Sequence, residues 1–114
     1  MATAEVDGHK VGYLEMGEGD LVLFAHCSLG YSGLWRKVME RLSDHYHCLS
    51  IDLPAHAASD RGDESISLQH QAIRYLIGLA DQRGAGKAHM VGLSIGGAIM
   101  PRLAHHHPAR VKSQ

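Results

Sequence analysis

The segment Val91-Gly92-Leu93-Ser94-Ile95-Gly96-Gly97 constrains this chain more than any other. It joins an apolar run of strand length, Ala88 to Leu93, to a stretch of helical patterning that runs from Ile95 to about His107. A helix that starts this soon after a strand must fold straight back against it. Gly92 and Gly96, two positions before and two after Ser94, remove the Cβ atoms that would keep the two elements apart. The serine is then held out of the backbone at a sharp turn, the placement a weakly nucleophilic hydroxyl needs to reach a reacting centre. The plainer alternative is a helix N-cap serine in a glycine-rich turn.

The rest of the chain repeats the same alternation. Glu5 to Met16 carries Asp7-Gly8 between short alternating runs, a hairpin signal, so two antiparallel strands open the sheet. Leu21 to Ala25 is continuously apolar, as a strand buried on both faces requires. Ser32 is placed to cap a helix carrying Leu34, Trp35, Val38 and Leu42, and Tyr46 to Ile51 supplies another strand. A polar loop from Asp52 to Glu64 leads to a second helix with the stripe Leu68, Ala72, Leu76 and Leu79, ended by Gly84 and Gly86. Pro108 closes the last helix, and Arg110-Val111-Lys112 reads as the start of a further strand. This order specifies an α/β fold: a mainly parallel sheet with an N-terminal antiparallel hairpin and flanking helices. With the sheet ending at Ala88 to Leu93, an apolar edge is left open to a second copy or a complementing chain.

At 114 residues the chain is expected to be a single domain. Its 45% hydrophobic and 20% charged residues are those of a globular protein. A net charge of −1 without blocks of like charge gives no reason to expect nucleic acid or a membrane surface as partner. Ten histidines make the charge sensitive to pH, turning the chain cationic at about pH 6. There is no apolar run of about eighteen residues, and Met1 to Asp7 lacks the basic and apolar regions of a secretory signal, so a cytoplasmic location is expected. Cys27 follows one strand and Cys48 lies near the start of the next. Neighbouring parallel strands hold such positions roughly 15 Å apart, against the ~7 Å a disulfide tolerates, and two thiols fit a reducing compartment.

Other segments bear on the chemistry. His105-His106-His107 looks like a metal cluster, but consecutive helical residues point about 100° apart and do not converge on one ion. Positive character at a helix C-terminus is the better account, and neither metal nor cofactor is expected. His26-Cys27-Ser28-Leu29-Gly30 resembles the His-Gly oxyanion loop of α/β hydrolases. Asp52-Leu53-Pro54-Ala55-His56-Ala57-Ala58-Ser59-Asp60 resembles their Asp-Leu-Pro-Gly-His-Gly-x-Ser-Asp loop, and His107-Pro108-Ala109-Arg110-Val111 resembles the segment before the sixth strand. Together with the Ser94 turn, these segments make nearly the whole chain resemble the N-terminal half of a cofactor-independent α/β hydrolase of the esterase, lipase and C–C hydrolase type. Residues 1–114 then form a single incomplete domain, a truncated α/β-hydrolase fold.

The resemblance implies roles residue by residue. Ser94 takes the nucleophile position, and the backbone N–H groups of Ile95 and Ser28 become the two oxyanion donors. Cys27 stands where the family has glycine and is read as a small buried residue rather than a nucleophile. His26 and His56 are expected to brace loops, and Asp52 to bond backbone donors rather than act as catalytic acid. Ala55 and Ala57 also replace family glycines, so a positive φ there carries strain of roughly 1 to 2 kcal/mol per site. Pro101 lies inside the last helix, where a lost hydrogen bond or a kink costs about 3 kcal/mol.

The function implied is a serine hydrolase acting on a small carboxylic ester or related acyl compound. The triad acid and histidine, which come later in such folds, are absent from this chain, which closes at Gln114, seventeen residues after Gly97. C–C hydrolysis and acyl transfer are adjacent readings, while dehalogenases and epoxide hydrolases with an aspartate nucleophile are disfavoured by Ser94. The alternative is a non-catalytic binding or interaction protein on a truncated hydrolase scaffold.

Overall fold

The computed structural model describes residues 2–113. Strands β1 (Ala2–Val6) and β2 (His9–Met16) form the hairpin. Its two turn residues, Asp7 and Gly8, sit at φ values of 52° and 82°, the doubly positive turn whose twist matches that of paired strands. Strands β3 (Asp20–Ala25), β4 (Tyr46–Ile51) and β5 (Ala88–Gly92) alternate with helices α1 (Arg36–Leu42), α2 (Leu68–Gln82) and α3 (Ile95–His106), and β6 (Val111–Ser113) follows. The six strands lie in the order β1-β2-β4-β3-β5-β6. β3 pairs in parallel with both β4 and β5, β6 runs parallel to β5, and β2 joins β4 antiparallel. This is the mixed, mainly parallel sheet that the alternation requires.

Strand β3 explains the layering. Leu21, Leu23 and Ala25 point to one face and pack with residues of α2 and α3, including Leu76, Leu79, Ile99 and Leu103. Val22 and Phe24 point to the other, where they meet Met39 of α1, Leu14 and Cys48, with Trp35 tilted against Phe24. A strand covered on both faces needs apolar residues at every position, and β3 has them from Leu21 onward. At its far end α2 is tied to β2 by a bidentate ion pair between Arg83 and Glu15, with the guanidinium over the Tyr13 ring.

Two expectations are corrected here. Ser32 does not cap α1: it sits in a 3-10 turn over Ser32–Trp35, and its N–H donates to Asp52 Oδ1 at 2.7 Å. The tighter turn rotates the apolar face, so Met39 is buried while Leu34 and Val38 are exposed. The sheet does not end at β5, because β6 pairs alongside Ala88 and His89 and becomes the edge. Pro101 lies within α3, which runs through it unbroken from Ile95 to His106 on an exposed side of the helix. Cys48 pairs across from Val22, five residues short of Cys27, and both thiols are free.

Candidate active site

Parallel register brings three loops to one end of the sheet. Ala25 lies opposite Ile51 on one side and Gly92 on the other, so β4, β3 and β5 end level. The chain leaves them as the Asp52 loop, the His26 loop and the Ser94 turn. Ligand sites in open α/β sheets lie at this end of the strands.

The Ser94 turn is as tight as its glycines imply. A Cβ on Gly92 would run into the carbonyl of Gly96, and one on Gly96 would strike the carbonyl of Ala25. Leu93 N–H donates to Ala25 O at 3.2 Å, fastening the turn to the neighbouring strand. Ser94 is exposed, at φ 58° and ψ −115°, a backbone conformation that costs an L-residue on the order of 1 to 3 kcal/mol. Ser94 is the N-cap residue of α3, but its hydroxyl makes no capping bond. Ile95 is the first residue of α3, with its amide at the positive end of the helix.

Ser28 lies in the loop after the neighbouring strand β3, exposed in a four-residue turn closed by Gly30 N–H donating to Cys27 O at 2.9 Å. Leu29 follows at φ 64°, with its side chain 95% exposed. Among the described residues, neither the Ser28 nor the Ile95 amide donates to a protein acceptor, and no protein group bonds the Ser94 hydroxyl.

Two histidines hold the Ser28 turn from behind. His26, wholly buried, accepts from Leu53 N–H through Nε2 at 2.9 Å, so its proton sits on Nδ1 and donates to Cys27 O at 2.6 Å. His56 accepts from Leu29 N–H through Nε2 at 3.2 Å and donates from Nδ1 to Pro54 O at 3.0 Å. The rings meet edge to face with centroids 5.0 Å apart. Burial holds the His26 imidazole below its usual pKa, opposed in part by the Cys27 carbonyl.

Asp52 is also wholly buried, and its carboxylate accepts from Ser32 N–H at 2.7 Å and Ala58 N–H at 3.2 Å. Ser59 donates to the Asp52 carbonyl at 2.6 Å and accepts from Gly12 N–H at 2.9 Å, locking this loop to β2. The structural bonds of His26, His56 and Asp52 are those expected of loop braces. Sequence reasoning missed Ser59 and the His56–Leu29 bond. The strain expected at Ala55 and Ala57 is present, with φ values of 66° and 45°.

His105 and His106 contact each other, and His106 also contacts His70, with centroids 5.2 and 5.4 Å apart. No group of three metal-ligating residues converges among the described residues. A hollow of about 240 Å³ lined by Val6, Arg74, Gly78 and His107 among others shares no residue with the Ser94 turn.

A family model described as the alpha/beta hydrolase fold matches residues 20–113. The chain belongs to the α/β hydrolase fold family. This α/β hydrolase chain is 35% identical over 111 residues to a dihydrolipoyllysine-residue acetyltransferase component of the acetoin cleaving system of Cupriavidus necator, covering 96% of this chain and 29% of that protein. It is 32% identical over 111 residues to a haloalkane dehalogenase of Bradyrhizobium diazoefficiens, covering 96% of this chain and 36% of the relative. A solved structure of a Vigna radiata epoxide hydrolase mutant superposes with a TM-score of 0.88 at 32% identity, over 97% of this chain and 36% of that one. The chain thus spans about a third of the length of the proteins it matches. No helix among the described residues is long and apolar enough to cross a membrane.

Proposed function

We propose that this α/β hydrolase chain carries the nucleophile and oxyanion half of a serine hydrolase acting on a small carboxylic ester or related acyl compound. The observation that carries the reading is Ser94: a non-glycine residue at φ 58° at the strand-to-helix turn, exposed and with its hydroxyl unused. In this reading Ser94 attacks the carbonyl carbon, and the resulting alkoxide oxygen is held by the amides of Ser28 and Ile95. The general base takes the Ser94 hydroxyl proton and passes it to the leaving oxygen, which departs as the alcohol, and water then releases the acyl group as a carboxylic acid and restores the Ser94 hydroxyl. The similarity to dehalogenase and epoxide hydrolase is one of scaffold, because serine occupies the position where an aspartate nucleophile would stand. His26 and His56 are committed to backbone groups, and in this reading the general base and its acid lie outside residues 1–114. Segments that supply them would pair along β6 and along Met90–Gly92, which β6 leaves uncovered.

A fluorophosphonate probe tests the reading. Without its base, the chain should be modified slowly but selectively at Ser94, faster than at its other serines, and Ser94→Ala should abolish that selectivity. Labelling spread over surface serines and indifferent to Ser94→Ala would overturn it. A non-catalytic role on this scaffold predicts that second pattern.

A further inference from the structure

The loops after β3 and β4 are joined by a reciprocal pair of bonds. His26, from the first loop, accepts the Leu53 amide of the second; His56, from the second, accepts the Leu29 amide of the first. Each ring donates its Nδ1 proton to a carbonyl of its own loop, Cys27 O for His26 and Pro54 O for His56. We infer that His26 and His56 form an acid-labile clasp in which two neutral imidazoles set the Ser28–Leu29 turn, with His56 as the positioning residue for the Ser28 amide.

The argument is one of donor count. A neutral imidazole has one acceptor nitrogen, and here both acceptors are spent on main-chain N–H groups. Protonation turns each acceptor into a donor pointing at another donor, so either imidazolium expels the amide it had held. Gly30 N–H donating to Cys27 O closes the turn, but Leu29 itself is held there by the His56 bond. Its side chain is 95% exposed, and its φ of 64° is unfavourable for leucine. Released from His56, Leu29 can relax toward negative φ, which rotates the peptide units on either side of it.

The titratable groups facing the pair bear on it unequally. Burial opposes a charged His26 most, the Cys27 carbonyl favours it, the neighbouring His56 ring opposes it and the Asp52 carboxylate favours it. The Cys27 thiol lies in the same loop, near the His26 ring across Gly30. His56 is the less buried ring.

The clasp stands on hydrogen bonds alone, and only its bearing on catalysis rests on the proposed role of Ser28. It is tested on the 114-residue chain by long-range proton–nitrogen correlation of the histidine rings at neutral pH, together with amide exchange. Both rings should be Nδ1–H tautomers. His56→Ala should lower protection of the Leu29 amide by about tenfold, while His56→Gln, whose carbonyl can accept the same bond, should keep it within about threefold. In the wild type, the Leu29 and Leu53 amide shifts should move with titration of His56 and His26 respectively. An Nε2–H tautomer at either ring, or unchanged Leu29 protection in folded His56→Ala, would overturn the clasp. Should His56→Ala fail to fold, the wild-type tautomers and amide titrations still decide. These readouts do not involve Ser94, so the clasp and the serine-hydrolase reading can fail separately.

Discussion

Gly92 and Gly96 face each other so closely across the Ser94 turn that a Cβ on the first would meet the carbonyl of the second. Backbone cannot yield as a flexible side chain can. Gly92→Ala should therefore cost about 2 kcal/mol or more, comparable to overpacking a tight core, and Gly96→Ala, which meets the Ala25 carbonyl, should do likewise. Gly97 is the control, since a Cβ there finds only ordinary contact at 3.5 Å with Gly92 O. Gly97→Ala should be neutral or stabilising by up to about 1 kcal/mol, given the better helix propensity of alanine. Urea unfolding of the three variants checks the order. Equal costs at 92, 96 and 97 would contradict close packing at the turn.

That relationship was legible in the sequence because a local motif dictates it. The strand and helix meet within seven residues, and their glycines announce the approach. Strand β4 was equally plain, since Tyr46–Ile51 is bounded by polar residues and its inner positions are apolar or small. The side of α1 that is buried was not. Leu34, Trp35, Val38 and Leu42 fit an α-helical stripe, but the first turn is 3-10, and its different pitch turns Leu34 outward and Met39 in. β6 has three residues, too few to show a period. The bond from Leu29 to His56 joins positions 27 apart in sequence. It exists because β3 and β4 end in register, a fact of strand pairing that no local pattern carries.

Ala55 and Ala57 both occupy positive φ on the exposed side of the Asp52 loop. Glycine at either site removes the Cβ clash, at some cost in unfolded-chain entropy. Ala55→Gly and Ala57→Gly should each raise stability by about 0.5 to 1 kcal/mol. The same change at Ala72, buried in α2, should lower it by at least about 1 kcal/mol. Thermal or urea midpoints of the three variants measure the contrast, and destabilisation at all three would refute strain in this loop.

Burial holds the His26 pKa below the ordinary 6.5. Between the folded and unfolded values the unfolded chain binds more protons than the folded one, so stability rises with pH across that window. Above 6.5 the His26 contribution is fully present, and it is lost as pH falls from 6.5 toward the depressed folded value. The exposed His106 is shifted in the same direction and adds to the trend. The His26 ring proton should titrate in the folded state with a midpoint below 6.5, and the urea midpoint should fall between pH 7.5 and 5.5. A folded-state midpoint at or above 6.5 would reverse the sign.

Arg110 fastens β6 to the turn before β5. Its guanidinium donates to Gly86 O at 2.7 Å, Ala85 O at 3.0 Å and Asp81 Oδ1 at 2.6 Å. The two carbonyl bonds need a planar fork, whereas the ion pair alone is partly solvated and worth little. Arg110→Ala should cost about 1 to 2 kcal/mol, and Arg110→Lys should recover less than half of it. Asp81→Asn should cost under about 0.5 kcal/mol. If Asp81→Asn proved as harmful as Arg110→Ala, the ion pair rather than the carbonyl fork would be holding the strand.

Ser94 itself offers the sharpest separation of stability from chemistry. Its φ of 58° and ψ of −115° are strained for any residue with a Cβ, and glycine alone adopts them freely. Ser94→Gly should stabilise the chain by about 1 kcal/mol, because relief of strain exceeds the added entropy of the unfolded glycine. Ser94→Ala keeps the Cβ and loses a hydroxyl that bonds nothing in the protein, so it should change stability by less than about 0.5 kcal/mol. Both variants should lose selective fluorophosphonate modification. If Ser94 served only the turn, its removal would leave the labelling unchanged. Finding that Ser94→Gly is less stable than the wild type would mean that the turn is not strained, and the structural basis for singling out Ser94 would go with it.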